Sequence, residues 1–134
     1  LQAALGLAQL EQLEDFIITK KRNYDYYKKE LNGVYGLRIL DFKEDIRPNY
    51  WFYGLYIEDS FKLNRDELIS YLASHKIQTR PIWGLINEQG PYLNALGYEI
   101  EKAKDYLKHV VNIPCSSNLS VEDVFIVIDC LKGI

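Results

Sequence analysis

The residues best suited to chemistry lie in one short run, Thr79-Arg80-Pro81-Ile82-Trp83. An arginine at a strand exit, followed by proline, tryptophan and a glycine-rich loop, presents a rigid guanidinium fork beside an aromatic plane. That pair suits a carboxylate or phosphate next to an apolar or ring-shaped ligand. The plainer reading is a surface ion pair between Arg80 and Glu88, and residue types alone leave both open.

The other reactive residue types carry less. His75 and His109 fall at predicted helix C-termini, where a cation is favourable and exposure is expected. Cys115 and Cys130 are fifteen positions apart with no His or Cys partner at metal-ligand spacing, so they read as buried thiols and not as ligands or a disulfide. A Schiff-base lysine needs a desolvated pocket to lower its pKa. Every lysine here has charged or polar neighbours, as in Lys20-Lys21-Arg22 or at Lys102 and Lys104. The 11 tyrosines mostly occupy core-facing positions of the first helix and the long strand, which favours packing over a sugar-stacking surface. No catalytic, cofactor-binding or metal-ligating residue is assigned on these grounds. The chain can shape part of a site without the groups that would react in it.

Those residues must be held by a scaffold, and the hydrophobic spacing gives its outline. A helical period runs from Leu1 to Asn32 through Ala3, Leu7, Leu10, Leu13, Ile17, Tyr24, Tyr27 and Leu31, which predicts one helix ~48 Å long at ~1.5 Å per residue. Its first half is apolar on more than one face, its second half is amphipathic, and Gly33 ends it. Leu37 to Leu40 and Asn49 to Ile57 read as strands, joined by a charged loop from Asp41 to Pro48. Asn64 with Glu67 predicts a capping box, and Leu63 a staple onto Leu68, for a helix reaching about His75. Ile77 to Ile82 reads as a strand ending at the edge-tolerant Pro81. Trp83 to Gly97 reads as an ordered loop with one helical turn at Tyr92 to Leu96. A helix from Glu99 to His109, an extended Val111 to Pro114 and a Ser120-capped last helix complete the chain. The predicted fold class is α+β: a small, mostly antiparallel sheet with helices packed on one side, preceded by a long interdomain helix. The division is residues 1–33 for that helix and 34–134 for a small α/β domain.

Composition narrows the classes. A length of 134 residues with 48% hydrophobic content suffices for one core, and a net charge of −3 disfavours a nucleic-acid partner. Absence of a long apolar run or a signal-peptide pattern points to a cytoplasmic protein without a membrane partner. The sequence holds no Met and opens Leu1-Gln2-Ala3-Ala4-Leu5 as if in mid-helix, without a cap. The expectation is a fragment whose chain continues upstream.

Three stretches together resemble one family. Leu1 to Leu13 is similar to the interdomain helix of the pyridoxal-phosphate-dependent sugar aminotransferases of the DegT/DnrJ/EryC1/StrS family. Ile77 to Trp83, followed by Asn87-Glu88-Gln89-Gly90-Pro91-Tyr92, resembles the substrate loop of its small domain. Ile113 to Ser117 with Leu119 to Asp123 resembles its last strand and helix. The Thr-Arg-Pro-hydrophobic-Trp pattern looks most like members that aminate the 4-keto position of nucleotide-linked N-acetyl sugars.

The resemblance implies a parent enzyme that moves an amino group, typically from glutamate, to a nucleotide-linked keto-sugar in polysaccharide or amino-sugar biosynthesis. Pyridoxal 5'-phosphate would supply the carbanion chemistry. The partners it implies are a missing N-terminal large domain carrying the cofactor lysine, a second subunit, and the nucleotide-sugar. Arg80 would clamp an anion, Trp83 would form a wall against sugar or base, and Asn87 with Tyr92 would form a polar rim. The competing readings are a non-enzymatic ligand-binding module built on Tyr50 to Tyr56 and the Trp83 loop, and a dimerisation module using the apolar face of Leu1 to Leu13.

Overall fold

A computed structural model describes residues 1–134. The predicted first helix is two helices, α1 (Gln2–Glu11) and α2 (Leu13–Glu30), and Gln12 is the cause of the break. Its side-chain Nε2 donates to the Ala8 carbonyl at 3.2 Å, the acceptor that its own backbone N–H would use in a continuous α-helix. The backbone N–H turns instead to Gln9, also at 3.2 Å. No residue of α1 is buried, whereas α2 sinks Asn23, Tyr24 and Tyr27 into the domain. The amphipathic second half of the period therefore packs into the hydrophobic core through Tyr24, Tyr27 and Leu31. Gly33, at φ 88°, then takes the left-handed turn that a side chain resists.

The sheet has four strands, β1 (Leu37–Ile39), β2 (Tyr53–Ile57), β3 (Arg80–Pro81) and β4 (Val110–Ile113), in the order β1-β2-β4-β3. Every pairing is antiparallel. The α+β expectation and the antiparallel sheet hold. Alternation places Leu37, Ile39, Tyr53, Leu55, Ile57, Val111 and Ile113 on one face, all buried. That face is covered by α2, by α3 (Arg65–Ser74) through Leu68 and Leu72, and by α5 (Val121–Lys132) through Val124, Val127, Ile128 and Leu131. Each fully buried aliphatic side chain contributes ~1.5–3 kcal/mol relative to exposure. The fourth long helix, α4 (Glu101–His109), meets the opposite face, where Tyr106 stands edge-on to Tyr56.

Both predicted caps form. Asn64 Oδ1 accepts from the Asp66 and Glu67 amides at 3.0 Å, and Glu67 returns a bond to the Asn64 amide at 2.8 Å. Ser120 and Asp123 repeat the box at the start of α5. Strand ends depart more from expectation. The second strand begins at Tyr53 and not at Asn49, because Tyr50 adopts φ 53° and Asn49 Oδ1 holds the Trp51 amide at 3.0 Å, a local turn that competes with the ladder. The third shrinks from Ile77–Ile82 to two residues, since Lys76 turns at φ 62° and Pro81 has no amide to continue pairing. The expected turn from Tyr92 forms as a single hydrogen-bonded turn, Ala95 N–H to the Tyr92 carbonyl at 2.9 Å, and it follows 3₁₀ turns at Ile86–Glu88 and Gly90–Tyr92.

Candidate functional site

Strand β3 sits at the sheet edge and delivers Arg80 opposite Asn112 of β4, with Pro81 opposite Val111. The guanidinium is exposed, and no carboxylate forms an ion pair with it; the Arg80–Glu88 bridge does not form. Three residues on, Trp83 is 64% exposed, yet it is not free-standing. Its ring stands edge-on to Phe52, centroids 5.0 Å apart, and 6.0 Å from Trp51. Trp51 and Phe52 are themselves 4.8 Å apart. The three rings form an aromatic wall, and Phe52 joins it to a cleft that Arg80 also lines. Arg80 and Trp83 are thus brought to one region.

The other two named residues stand apart from that arrangement. Asn87 is half-buried within the first 3₁₀ turn, and Tyr92 is 49% exposed in the second. Neither makes a side-chain hydrogen bond to Arg80 or Trp83.

The turn before β2 explains how Trp51 reaches the wall. With Tyr50 in the left-handed region, its ring packs inward against Tyr24 and Phe42, at 5.4 and 5.0 Å, while the next side chain is thrown outward. The Trp51 carbonyl is then pinned from below: Lys20 Nζ donates to it at 3.2 Å, and so does the Cys115 thiol at 3.2 Å. Lys20 also donates to the Cys115 carbonyl. Sequence reasoning placed the two rings in the Tyr50 to Tyr56 stretch of the competing binding-module reading but missed this pin. The signal available was the adjacent Trp51-Phe52 pair next to an Asn49 turn.

Lys20 corrects the reading that every lysine has a polar setting. Burial pushes its pKa below the ordinary value, although Cys115 acts in the opposite sense. Its amine is nonetheless committed to two carbonyls, and no acidic partner or phosphate cradle converges on it, so these residues do not fit pyridoxal phosphate. His109 is a second correction. It was expected to be exposed, but α4 runs straight into β4 without a loop and draws this residue to 9% exposure. There Nδ1 lies 2.8 Å from Asp105 Oδ1 and Nε2 3.2 Å from Asp59 Oδ1. His75 is exposed as expected. The two cysteines are free but only half-buried, because each sits at the margin of the core.

The DegT/DnrJ/EryC1/StrS aminotransferase family model matches residues 1–132. The chain belongs to that family. A GDP-perosamine synthase of Escherichia coli O157:H7 is 30% identical over 130 residues, covering 97% of this chain and 34% of the relative. A dTDP-4-amino-4,6-dideoxy-D-glucose transaminase of Shigella dysenteriae is 25% identical, covering 98% and 36% respectively. The chain thus spans about a third of the length of the curated relatives it matches. Among solved structures, the aminotransferase TlmJ of Streptoalloteichus hindustanus superposes with a TM-score of 0.86 at 22% identity, over 98% of this chain and 35% of that one. That likeness establishes the fold.

Proposed function

We propose that this chain is the substrate-facing third of a pyridoxal-phosphate-dependent aminotransferase that transfers an amino group, drawn from glutamate, to a nucleotide-linked keto-sugar. The observation that carries the reading is the family match across residues 1–132. The relatives named for GDP- and dTDP-linked sugars support the substrate class, and one of those names carries an amino group at position 4. No N-acetyl group appears in those two names.

The cofactor lysine and phosphate cradle belong, on this account, to the remaining two-thirds of such an enzyme. The role of this chain is to receive substrate. Arg80 offers planar donors to an anion, Trp83 backed by Phe52 and Trp51 offers an apolar wall, and Asn87 and Tyr92 lie on the loop that rims the opening. Leu5, Leu7 and Leu10, 58 to 65% exposed on α1, offer a surface for the large domain or a second subunit of a homodimer. No helix is long and apolar enough to cross a membrane, which agrees with a cytoplasmic enzyme. The test is titration of nucleotide-linked keto-sugar into the protein that carries this chain, followed by tryptophan fluorescence. Arg80→Ala should weaken the sugar while leaving cofactor absorbance unchanged; unchanged sugar affinity removes Arg80 from the site.

A further inference from the structure

The outer face of the sheet carries an unassigned polar residue beside Arg80. Because β3 and β4 are antiparallel and Arg80 lies directly opposite Asn112, both side chains leave the sheet on the same face. Val111 and Ile113, its neighbours on β4, point into the core. On its other side Asn112 faces Gly54, where Leu40 fills the space a side chain would take: a Cβ there would sit 2.9 Å from Leu40 Cδ1. Asn112 is consequently only 8% exposed as a residue, and its carboxamide, whose polar atoms still reach solvent, makes no hydrogen bond within the chain. Its N–H donors are therefore uncommitted within the chain and open to a ligand in the cleft. The cleft that Asn112 and Arg80 line with Phe52, Thr79 and Pro114 has a volume of about 130 Å³, and there Thr79 Oγ1 is buried without a partner.

We infer that Asn112 and Arg80 form an oxyanion subsite on the outer face of the sheet, which binds a carboxylate or phosphate group of the reacting molecules. This rests on the aminotransferase reading for its choice of ligands. The chemistry is set by the donors. A guanidinium offers N–H groups in a planar fork and accepts nothing, and a carboxamide adds two N–H donors beside one acceptor. Together they suit a trigonal or tetrahedral group of anionic oxygens. A cleft of this size admits one such group, with the aromatic wall of Phe52 and Trp83 left for the carbon skeleton attached to it. Two sources present the same chemistry, the carboxylate of an amino-acid donor and the phosphate of a nucleotide-linked sugar.

Nitrogen-15 NMR of the 134-residue chain distinguishes them, with the Asn112 side-chain amide as reporter, titrated separately with glutamate and with GDP. The inference requires a saturable shift of that amide with at least one probe, and the probe that produces it names the source. Asn112→Asp, which places a negative charge in the cleft, should weaken that probe by roughly tenfold or more. Arg80→Lys, at an exposed position that leaves the fold intact, should weaken it by roughly fivefold through loss of the fork. If Asn112→Asp disturbs the fold, the Arg80→Lys comparison carries the test. Amide resonances that neither probe moves at tens of millimolar, or affinities unchanged in Arg80→Lys, overturn the subsite. Its failure is separable from that of the proposed function. Amine transfer by the parent protein with both KM values unchanged in Asn112→Asp sinks the subsite alone. Glutamate or GDP bound at Asn112 in a protein that transfers no amine sinks the function alone.

Discussion

The Trp83 ring stands at 81° to that of Phe52 with centroids 5.0 Å apart, so an exposed loop residue is anchored to the end of a sheet strand. The contact links the exposed loop after β3 to the residue that leads into β2. It also makes Trp83 a surface of fixed orientation.

Trp83→Ala should therefore separate binding from stability. Losing one edge-to-face pair at a position this exposed costs about 0.5–1.5 kcal/mol of stability. The loss of sugar affinity in the parent protein should be larger than that. Urea denaturation beside titration of the sugar measures both. A stability loss with unchanged affinity would make Trp83 a packing residue only.

The tyrosines of the core predict behaviour at high pH. Tyr24, Tyr27 and Tyr53 are buried, and burial raises each phenol well above its ordinary value. A group whose pKa is higher folded than unfolded contributes stability that is complete below the unfolded value, about 10 for a phenol, and is lost as pH rises toward the folded one. Stability should hold through neutral pH and fall from about pH 10 upward. Tyr27→Phe should flatten that fall, a change visible in thermal unfolding followed by circular dichroism across the alkaline range.

Two of these tyrosines differ at neutral pH. Tyr27 OH is buried without a partner, whereas Tyr53 OH donates to the Lys20 carbonyl at 2.7 Å. Tyr27→Phe should be neutral or stabilising, and Tyr53→Phe should cost about 0.5–1.5 kcal/mol. Chemical denaturation of the two variants side by side checks the contrast. Equal losses would contradict it.

Helix capping gives a prediction independent of function. Asn64→Ala removes two acceptor contacts at the start of α3 and should cost about 1 kcal/mol, with a similar loss for Ser120→Ala at α5. Urea midpoints that fail to move would show that these ends are held by packing alone.

What the sequence disclosed depended on how local the determinant was. Asn64 with Glu67 and Ser120 with Asp123 declare their helices within four residues, and both formed. The strand β2 was legible because aromatic and branched residues fill it, whereas its alternating burial emerges only in the fold. The break at Gln12 was not, because it turns on one side chain taking the Ala8 carbonyl within an unbroken apolar period. Tyr50 in the left-handed region could not be anticipated, since a bulky residue there is held only by tertiary contacts with Tyr24 and Phe42. In the candidate site, Arg80 and Trp83 could be named together because they share one segment. Phe52, just before β2, and Asn112, on β4, come from other segments, and only the fold brings them beside Arg80 and Trp83.

The central claim is that this chain serves a sugar aminotransferase, and transamination by the full-length protein tests it most directly. Purified with pyridoxal phosphate and supplied with glutamate and a GDP- or dTDP-linked 4-keto-sugar, it should form 2-oxoglutarate and an amino-sugar nucleotide in equal amounts. Arg80→Ala should lower that rate at limiting sugar. Glutamate consumed without amino-sugar, or no product with any nucleotide-linked keto-sugar, would contradict the account.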